Sequence, residues 1–115
     1  YFLVKNKDED LRIVRVLYKD VIAFESSHNY VRIYLNSNKI LTAYLTIKDI
    51  VGILEHREDF KQFHRAFIIS TECINYIEGN TIKMINNLTF TVGESFRGNF
   101  TAFMSNKLFR TSRKG

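Results

Sequence analysis

The feature that most constrains this fold is short apolar–polar alternation, repeated along the chain between polar turns. Residues 31–35 carry Val, Ile and Leu at every second position, and residues 40–44 return after the polar turn 36–39. Alternation with period two is typical of a strand with one buried face, so this pair predicts a β-hairpin. The same reasoning predicts strands at residues 1–4, 11–17, 21–25, 74–78, 81–85 and 88–92, with a bulge near Ile13 and Val14, where the alternation slips.

Two segments have helical spacing instead. In each, apolar residues recur three or four positions apart, which predicts a helix with one face packed on a core. Thr46 stands where it would cap the first helix. The first stripe is Ile47, Ile50, Val51 and Leu54, and the second is Phe96, Phe100, Phe103 and Met104. The sequence therefore predicts a mostly-β domain with two helices packed on it.

The charge of the chain favours a polyanionic partner. The 115 residues fit one domain, 1–115, and carry a formal net charge of +5. Nucleic-acid backbones are the common partner of such basic domains. Part of the charge lies in a C-terminal tail, at Lys107, Arg110, Arg113 and Lys114. A solvated helix end would account for that tail equally well, so charge alone leaves the partner open.

The sequence contains no sign of a membrane segment or a secretion signal. No apolar run approaches the roughly 18 residues that a membrane helix needs, and residues 1–5 lack the features of a signal peptide. Cys73 is the single cysteine, so an internal disulfide is excluded, as suits a reducing compartment. We therefore expect a cytoplasmic domain without membrane contact. Because the chain does not begin with Met, we also expect it to be excised from a longer protein.

No arrangement of residues points to catalysis, a metal or a cofactor. The histidines are His28, His56 and His64, and none has metal-binding spacing to another or to the lone cysteine. Motifs for a nucleophilic serine, a phosphate-binding loop or a dinucleotide are absent. Ser26 and Ser27 adjoin His28, but adjacent residues rarely reach each other productively. We expect a protein that is not an enzyme and that holds neither metal nor cofactor.

Two polar segments beside apolar anchors are the best candidates for a binding surface. In residues 24–32 an apolar strand runs into Ser, His and Asn, and Asn and Arg side chains read base edges in DNA grooves. In residues 60–69, three phenylalanines would hold Lys61, His64 and Arg65 at the surface. A restrained arginine loses little entropy when it binds phosphate or a groove. Ordinary solvated turns fit both compositions as well.

Taken in chain order, four motifs resemble the LytTR family of bacterial DNA-binding domains. They are Phe24-Glu25-Ser26 with Asn29-Tyr30, the helical stripe 46–54, Phe60 with Phe63-His64-Arg65 and Phe67-Ile68-Ile69-Ser70, and Val92-Gly93-Glu94-Ser95-Phe96-Arg97. The strand and hairpins of residues 74–92 lie between the last two, as they do in the family. The resemblance extends over nearly the whole chain. It departs from the family pattern at Ala66, where Ser is common, at Ile69-Ser70, where Val-Asn is common, and at Glu94, where many members carry Arg.

The resemblance implies a mostly-β fold, an elongated arrangement of small antiparallel sheets with two packed helices. It also implies sequence-specific binding of double-stranded DNA by inter-strand loops. The chain would be the output domain of a two-component transcription regulator with an upstream receiver domain. Two loops would enter successive major grooves and a middle loop the minor groove between them. The DNA-binding residues would be Ser27, His28, Asn29, Tyr30 and Arg32 in the first region, His64 and Arg65 in the middle one, and Glu94, Ser95 and Arg97 in the third.

The resemblance leaves open which residue makes the second major-groove contact. Glu94 cannot bond guanine as Arg does but can accept from cytosine, so either Glu94 or Arg97 would make the second major-groove contact. The target would be paired repeats about one helical turn or more apart, roughly 10 bp, with self-association on DNA or through the receiver domain. The alternative function is a small β-rich ligand- or protein-interaction module. Such a module would lack a continuous basic track across the three loops.

Overall fold

The computed structural model describes residues 1–109, which form three antiparallel sheets and two α-helices. The strands are β1 (Phe2–Asn6), β2 (Arg12–Val16), β3 (Val21–Ser27), β4 (Tyr30–Leu35), β5 (Ile40–Ala43), β6 (Phe60–His64), β7 (Phe67–Ser70), β8 (Ile74–Glu78), β9 (Thr81–Met84) and β10 (Thr89–Thr91). The helices are α1 (Ile47–Ile53) and α2 (Arg97–Lys107), and 3-10 turns lie at Tyr18–Asp20, Thr71–Cys73 and Glu94–Phe96. Arg110, Arg113 and Lys114 of the basic tail lie outside the described residues.

The sheets have two, five and three strands. Their orders are β1-β2, β5-β4-β3-β7-β6 and β10-β9-β8. Nearly every pairing joins strands that are consecutive in the chain. The exception is β3, which pairs with β7 although β4, β5, α1 and β6 lie between them in sequence. The described residues extend over 59 × 27 × 25 Å. The expected elongated, mostly-β fold with two helices is confirmed.

The two faces of the five-stranded sheet bury separate cores. Because successive side chains of a strand point to opposite faces, one strand can contribute to both cores. Phe24, Ile33 and Leu41 pack on one face under the β1–β2 hairpin and α1. Phe63 and Ile69 pack on the other face with side chains of the three-stranded sheet and α2. The large sheet is therefore the rigid middle layer of the molecule.

Both helices begin and pack much as their sequence predicts. Thr46 caps α1 in a capping box with Asp49, which satisfies two backbone N–H groups that the helix cannot. Ile50 and Leu54 are buried beneath α1. Val51, however, is 47% exposed, and Ile53 packs on the core in its place. In α2, Phe100 is buried, and Phe96, Phe103 and Met104 pack around the same core.

The expectations for the first hairpin were wrong in two respects. The β1–β2 register is continuous from the Phe2–Val16 pair to the Asn6–Arg12 pair, so the predicted bulge is absent. Because the alternation breaks at Ile13 and Val14 without a bulge, Ile13 lies on the outer face of the hairpin, where it is 61% exposed. The strand predicted at residues 1–4 also extends further, since Asn6 is the last residue of β1 and is 1% exposed. Its side-chain oxygen accepts the Thr42 N–H at 3.3 Å, so it joins the hairpin to β5.

Candidate nucleic-acid interface

A straight row of paired residues crosses the whole five-stranded sheet near one end. Residues paired directly across neighbouring strands present their side chains on the same face. From β5 to β6 the row consists of Thr42, Arg32, Glu25, Phe67 and His64. The β3–β4 turn and the β6–β7 turn both lie just beyond this row. Two polar segments that are distant in sequence thereby emerge side by side.

The β3–β4 turn, here called loop 1 (residues 27–30), is shorter than the predicted polar loop. Ser27 and Tyr30 are paired strand residues, so only His28 and Asn29 form the turn. Both are exposed at its tip. His28 adopts a φ of +57°, a left-handed conformation that costs roughly 1–2 kcal/mol for a residue other than glycine. Strained backbone conformations of this kind are common at functional sites. The turn places the imidazole of His28 at the tip of the hairpin.

Arg32 is held at the base of loop 1 by a polar cluster. Its guanidinium Nη1 lies 3.6 Å from Glu25 Oε1, and the Tyr34 hydroxyl donates to the same oxygen at 2.5 Å. Burial, together with this hydrogen bond to Glu25, raises the pKa of Tyr34 to about 12. The carboxylate of Glu25 therefore has two partners, the Arg32 guanidinium and the Tyr34 hydroxyl, and it orients the Arg32 side chain.

This cluster predicts an alkaline loss of stability. An unfolded tyrosine ionises near pH 10, whereas folded Tyr34 keeps its proton until about pH 12. Between these two pH values the folded state binds more protons than the unfolded state. The contribution of Tyr34 to the free energy of unfolding is therefore complete below pH 10 and is lost as the pH rises toward 12. Denaturant unfolding from pH 8 to pH 12 should show the decline, and Tyr34→Phe should reduce it. An identical decline in Tyr34→Phe would assign it to other groups.

Loop 2 (residues 64–67) is the β6–β7 turn, and it is fixed from within. His64 pairs with Phe67, so Arg65 and Ala66 form the turn. His64 Nδ1 accepts the Ala66 N–H at 3.0 Å, and the imidazole packs edge-on against Phe67 with centroids 5.3 Å apart. In the neutral ring the proton is therefore on Nε2, which is left as a donor. Arg65 is exposed beside it.

Loop 3 (residues 93–97) leads into α2 and presents the third group of predicted residues. A 3-10 turn covers Glu94–Phe96, and α2 begins at Arg97. Glu94, Ser95 and Arg97 are exposed. A Cβ at Gly93 would lie 3.2 Å from Phe96 Cδ2, so the Phe96 ring would have to shift by a few tenths of an ångström, and it would be in ordinary contact with His64 Cα at 3.7 Å. Between loops 2 and 3 lies an open depression of about 500 Å³, lined by His64, Arg65, Gly93, Glu94, Ser95 and Phe96.

Two backbone hydrogen bonds set the order of the three loops. The Ser26 N–H donates to Ala66 O at 2.8 Å, which ties loop 1 to loop 2. The Gly93 N–H donates to Phe63 O at 2.8 Å, which ties loop 3 to the strand before loop 2. The fold therefore places the three loops that carry the predicted site residues next to one another, in the order 1, 2, 3. Sequence reasoning missed Lys7, whose ammonium lies 5.3 Å from the Tyr30 ring centroid, since nothing local to residue 7 points to loop 1.

Comparison with known proteins gives the family and the fold of the chain. The sequence model of the LytTr DNA-binding domain family matches residues 11–105. The chain belongs to the LytTr family. A LytTr DNA-binding domain of a methyl-accepting/DNA response regulator from Bacillus cereus has a similar structure, with a TM-score of 0.72, 18% sequence identity, and coverage of 90% of this chain and 94% of that one. A search of curated proteins gives no match.

Two further observations concern this LytTr domain. Within residues 1–109, no group of three or more His, Cys, Asp or Glu side chains is placed to hold a metal ion. No helix in the described part of the chain is long and apolar enough to cross a membrane. Strand β1 and Lys7 precede the region matched by the family, so the first hairpin is only partly covered by the family pattern.

Proposed function

We propose that this LytTr domain binds double-stranded DNA sequence-specifically through loops 1, 2 and 3. The observation that supports the proposal is that the cross-strand row and two backbone hydrogen bonds place the three loops next to one another. Each loop presents one exposed side chain suited to DNA: Asn29, Arg65 and Arg97. Asn bonds adenine and Arg bonds guanine in a major groove. Preorganised loops bind with less entropy loss than mobile ones.

The loops would divide the duplex among them. Loops 1 and 3 would enter successive major grooves, and loop 2 would place Arg65 in the minor groove between them. Narrow A·T-rich minor grooves attract arginine by their potential rather than by a base code.

The second major-groove contact would come from one of two residues. Arg97 would donate to guanine, whereas Glu94 would accept from the amino group of cytosine. Both are exposed at loop 3. We favour Arg97, because it adds a positive charge to a surface that faces phosphates.

The wider context of the domain is also part of the proposal. The chain would act as the non-enzymatic, cytoplasmic output domain of a two-component transcription regulator, downstream of a receiver domain. Two such domains would occupy paired direct repeats and associate on DNA or through their receivers. Sequences selected from a random duplex pool would then contain a recurrent spacing near 10 bp or a multiple of it.

Salt dependence tests the DNA-binding proposal directly. If Arg32, Arg65 and Arg97 each neutralise a phosphate, binding releases counterions, and the slope of log affinity against log salt should be about −2.7 or steeper. An electrophoretic shift on pooled random duplexes, repeated from low to high salt, measures this slope. A flat response, or no shift at any salt concentration, would favour a ligand- or protein-interaction module instead.

A further inference from the structure

Two cations from different sheets meet at the Tyr30 ring, at the outer edge of loop 1. Lys7 Nζ lies 5.3 Å from the ring centroid, and Arg32 Cζ lies 5.8 Å from it. Arg32 comes from β4, whereas Lys7 comes from the turn between β1 and β2. An aromatic ring attracts cations, but the two positive charges repel each other. Two cations thus meet at the outer edge of loop 1, each beside one carboxylate, Asp8 for Lys7 and Glu25 for Arg32.

The backbone of Lys7 is joined to the β5 end of the cross-strand row. The Lys7 N–H donates to Thr42 O at 2.6 Å, and Thr42 is the β5 member of the row. The buried Asn6 side chain accepts the N–H groups of Thr42 and Asp8, at 3.3 and 3.4 Å. These hydrogen bonds hold the backbone of Lys7 against β5. Only its side chain remains to be ordered on binding.

The pairing of Lys7 leaves its charge accessible to a stronger partner. Its one salt bridge among residues 1–109 is to Asp8, at 3.6 Å, with the two side chains 34% and 59% exposed. Such a surface ion pair contributes little free energy. A phosphate oxygen can replace Asp8, because lysine acts as a point charge for phosphate. Glu9, the next acid in the turn, is already engaged by Arg12 and Lys39.

We propose that the β1–β2 turn is a fourth DNA-contacting element, in which Lys7 binds a backbone phosphate flanking loop 1. The inference rests on the proposed function and adds to it a contact from outside the three family loops. Phosphate contacts position a protein without reading sequence. Lys7 should therefore contribute affinity and salt dependence, and no base preference.

The test compares Lys7→Gln with Lys19→Gln on specific and random duplexes across a salt series. Lys19 is an exposed matched control in the 3-10 turn before β3, at the opposite end of that seven-residue strand from loop 1. Lys7→Gln should reduce the salt slope by about 0.9 and weaken binding to both duplexes about fivefold to tenfold at 0.1 M salt. Lys19→Gln and the conservative Lys7→Arg should retain the wild-type slope.

Asp8→Asn supplies a change of opposite sign. If Asp8 competes with phosphate for Lys7, its removal should strengthen binding, and the gain should disappear in the Lys7→Gln background. Equal melting temperatures would show that the variants are folded. Wild-type binding with an unchanged slope in Lys7→Gln would overturn the inference and leave the three-loop proposal standing, whereas absence of wild-type binding would reject the proposed function itself.

Discussion

A variant with Asn29, Arg65 and Arg97 all changed to alanine should lose specific DNA binding and keep its fold. Each side chain is exposed, and within the described part of the chain none of the three forms a salt bridge. Removal should therefore shift stability by no more than about 0.5 kcal/mol. Individual base contacts are worth about 1–3 kcal/mol and add roughly when well separated, so the triple variant should bind its operator at least about a hundredfold more weakly.

The single variants should fail in different ways. Asn29→Ala and Arg97→Ala should each relax sequence preference at one position. Arg65→Ala should weaken binding and reduce the salt slope with little change in major-groove preference. Glu94→Gln separates the two candidates in loop 3, since it should strengthen binding if Glu94 merely repels phosphate and relax a cytosine preference if Glu94 reads the base.

The measurement is specific and non-specific affinity beside thermal stability for every variant. Lys19→Ala is the matched control, because it removes an exposed cation at the far end of β3. Full operator affinity in a stable triple variant would remove the proposed site. Affinity lost only in proportion to melting temperature would reassign the three residues to holding the loops.

The second large effect is expected at Phe63, where loops 2 and 3 are joined. Its ring is 1% exposed and packs against Phe100 and Phe103, each with centroids 5.4 Å away. Its carbonyl accepts the Gly93 N–H that fixes loop 3. Phe63→Ala should cost about 3–5 kcal/mol, from lost burial and the cavity left behind. Much of the stability of a domain of this size would then be gone.

Denaturant unfolding and DNA affinity should change together in Phe63→Ala. The cavity would lie beside the hydrogen bond from the Gly93 N–H to Phe63 O, which ties loop 3 to β6. Loop 3 should therefore lose its position even where the variant remains folded at low temperature. Tyr76→Ala is a suitable control, because Tyr76 is an aromatic residue 49% exposed on β8 and should change stability by about 0.5 kcal/mol or less. A cost below about 1 kcal/mol for Phe63→Ala would show that this core is not what joins the loops.

Local elements of the fold were predictable because their causes lie within a few residues. Alternation located the β4–β5 and β8–β9 hairpins, since one buried face requires period two. Thr46 located the start of α1 through its cap. The phenylalanine stripe located α2, whose buried face requires helical spacing.

Other features were missed because the deciding contact is distant in the chain. Asn6 is polar, and only Thr42, 36 residues away, gives it a buried partner. Val51 fits the helical stripe but is 47% exposed, because the sheet and the first hairpin contact α1 on the side of Ile50 and Leu54. The strands β6 and β7 lack clean alternation, partly because a register shift lies between Lys61 and His64. Their pairing with β3 completes the sheet.

The sequence by itself determined the fold class, the hairpins, the helices and which polar segments were candidates for DNA contact. It did so because burial patterns, caps and turns are local properties of side chains. Only the tertiary structure decided that loops 1, 2 and 3 lie next to one another, and that Lys7 reaches Tyr30 from another sheet. The bonds that align the loops run from Ser26 N–H to Ala66 O and from Gly93 N–H to Phe63 O. These are backbone groups that almost every residue has, so their pairing leaves no signature in the sequence.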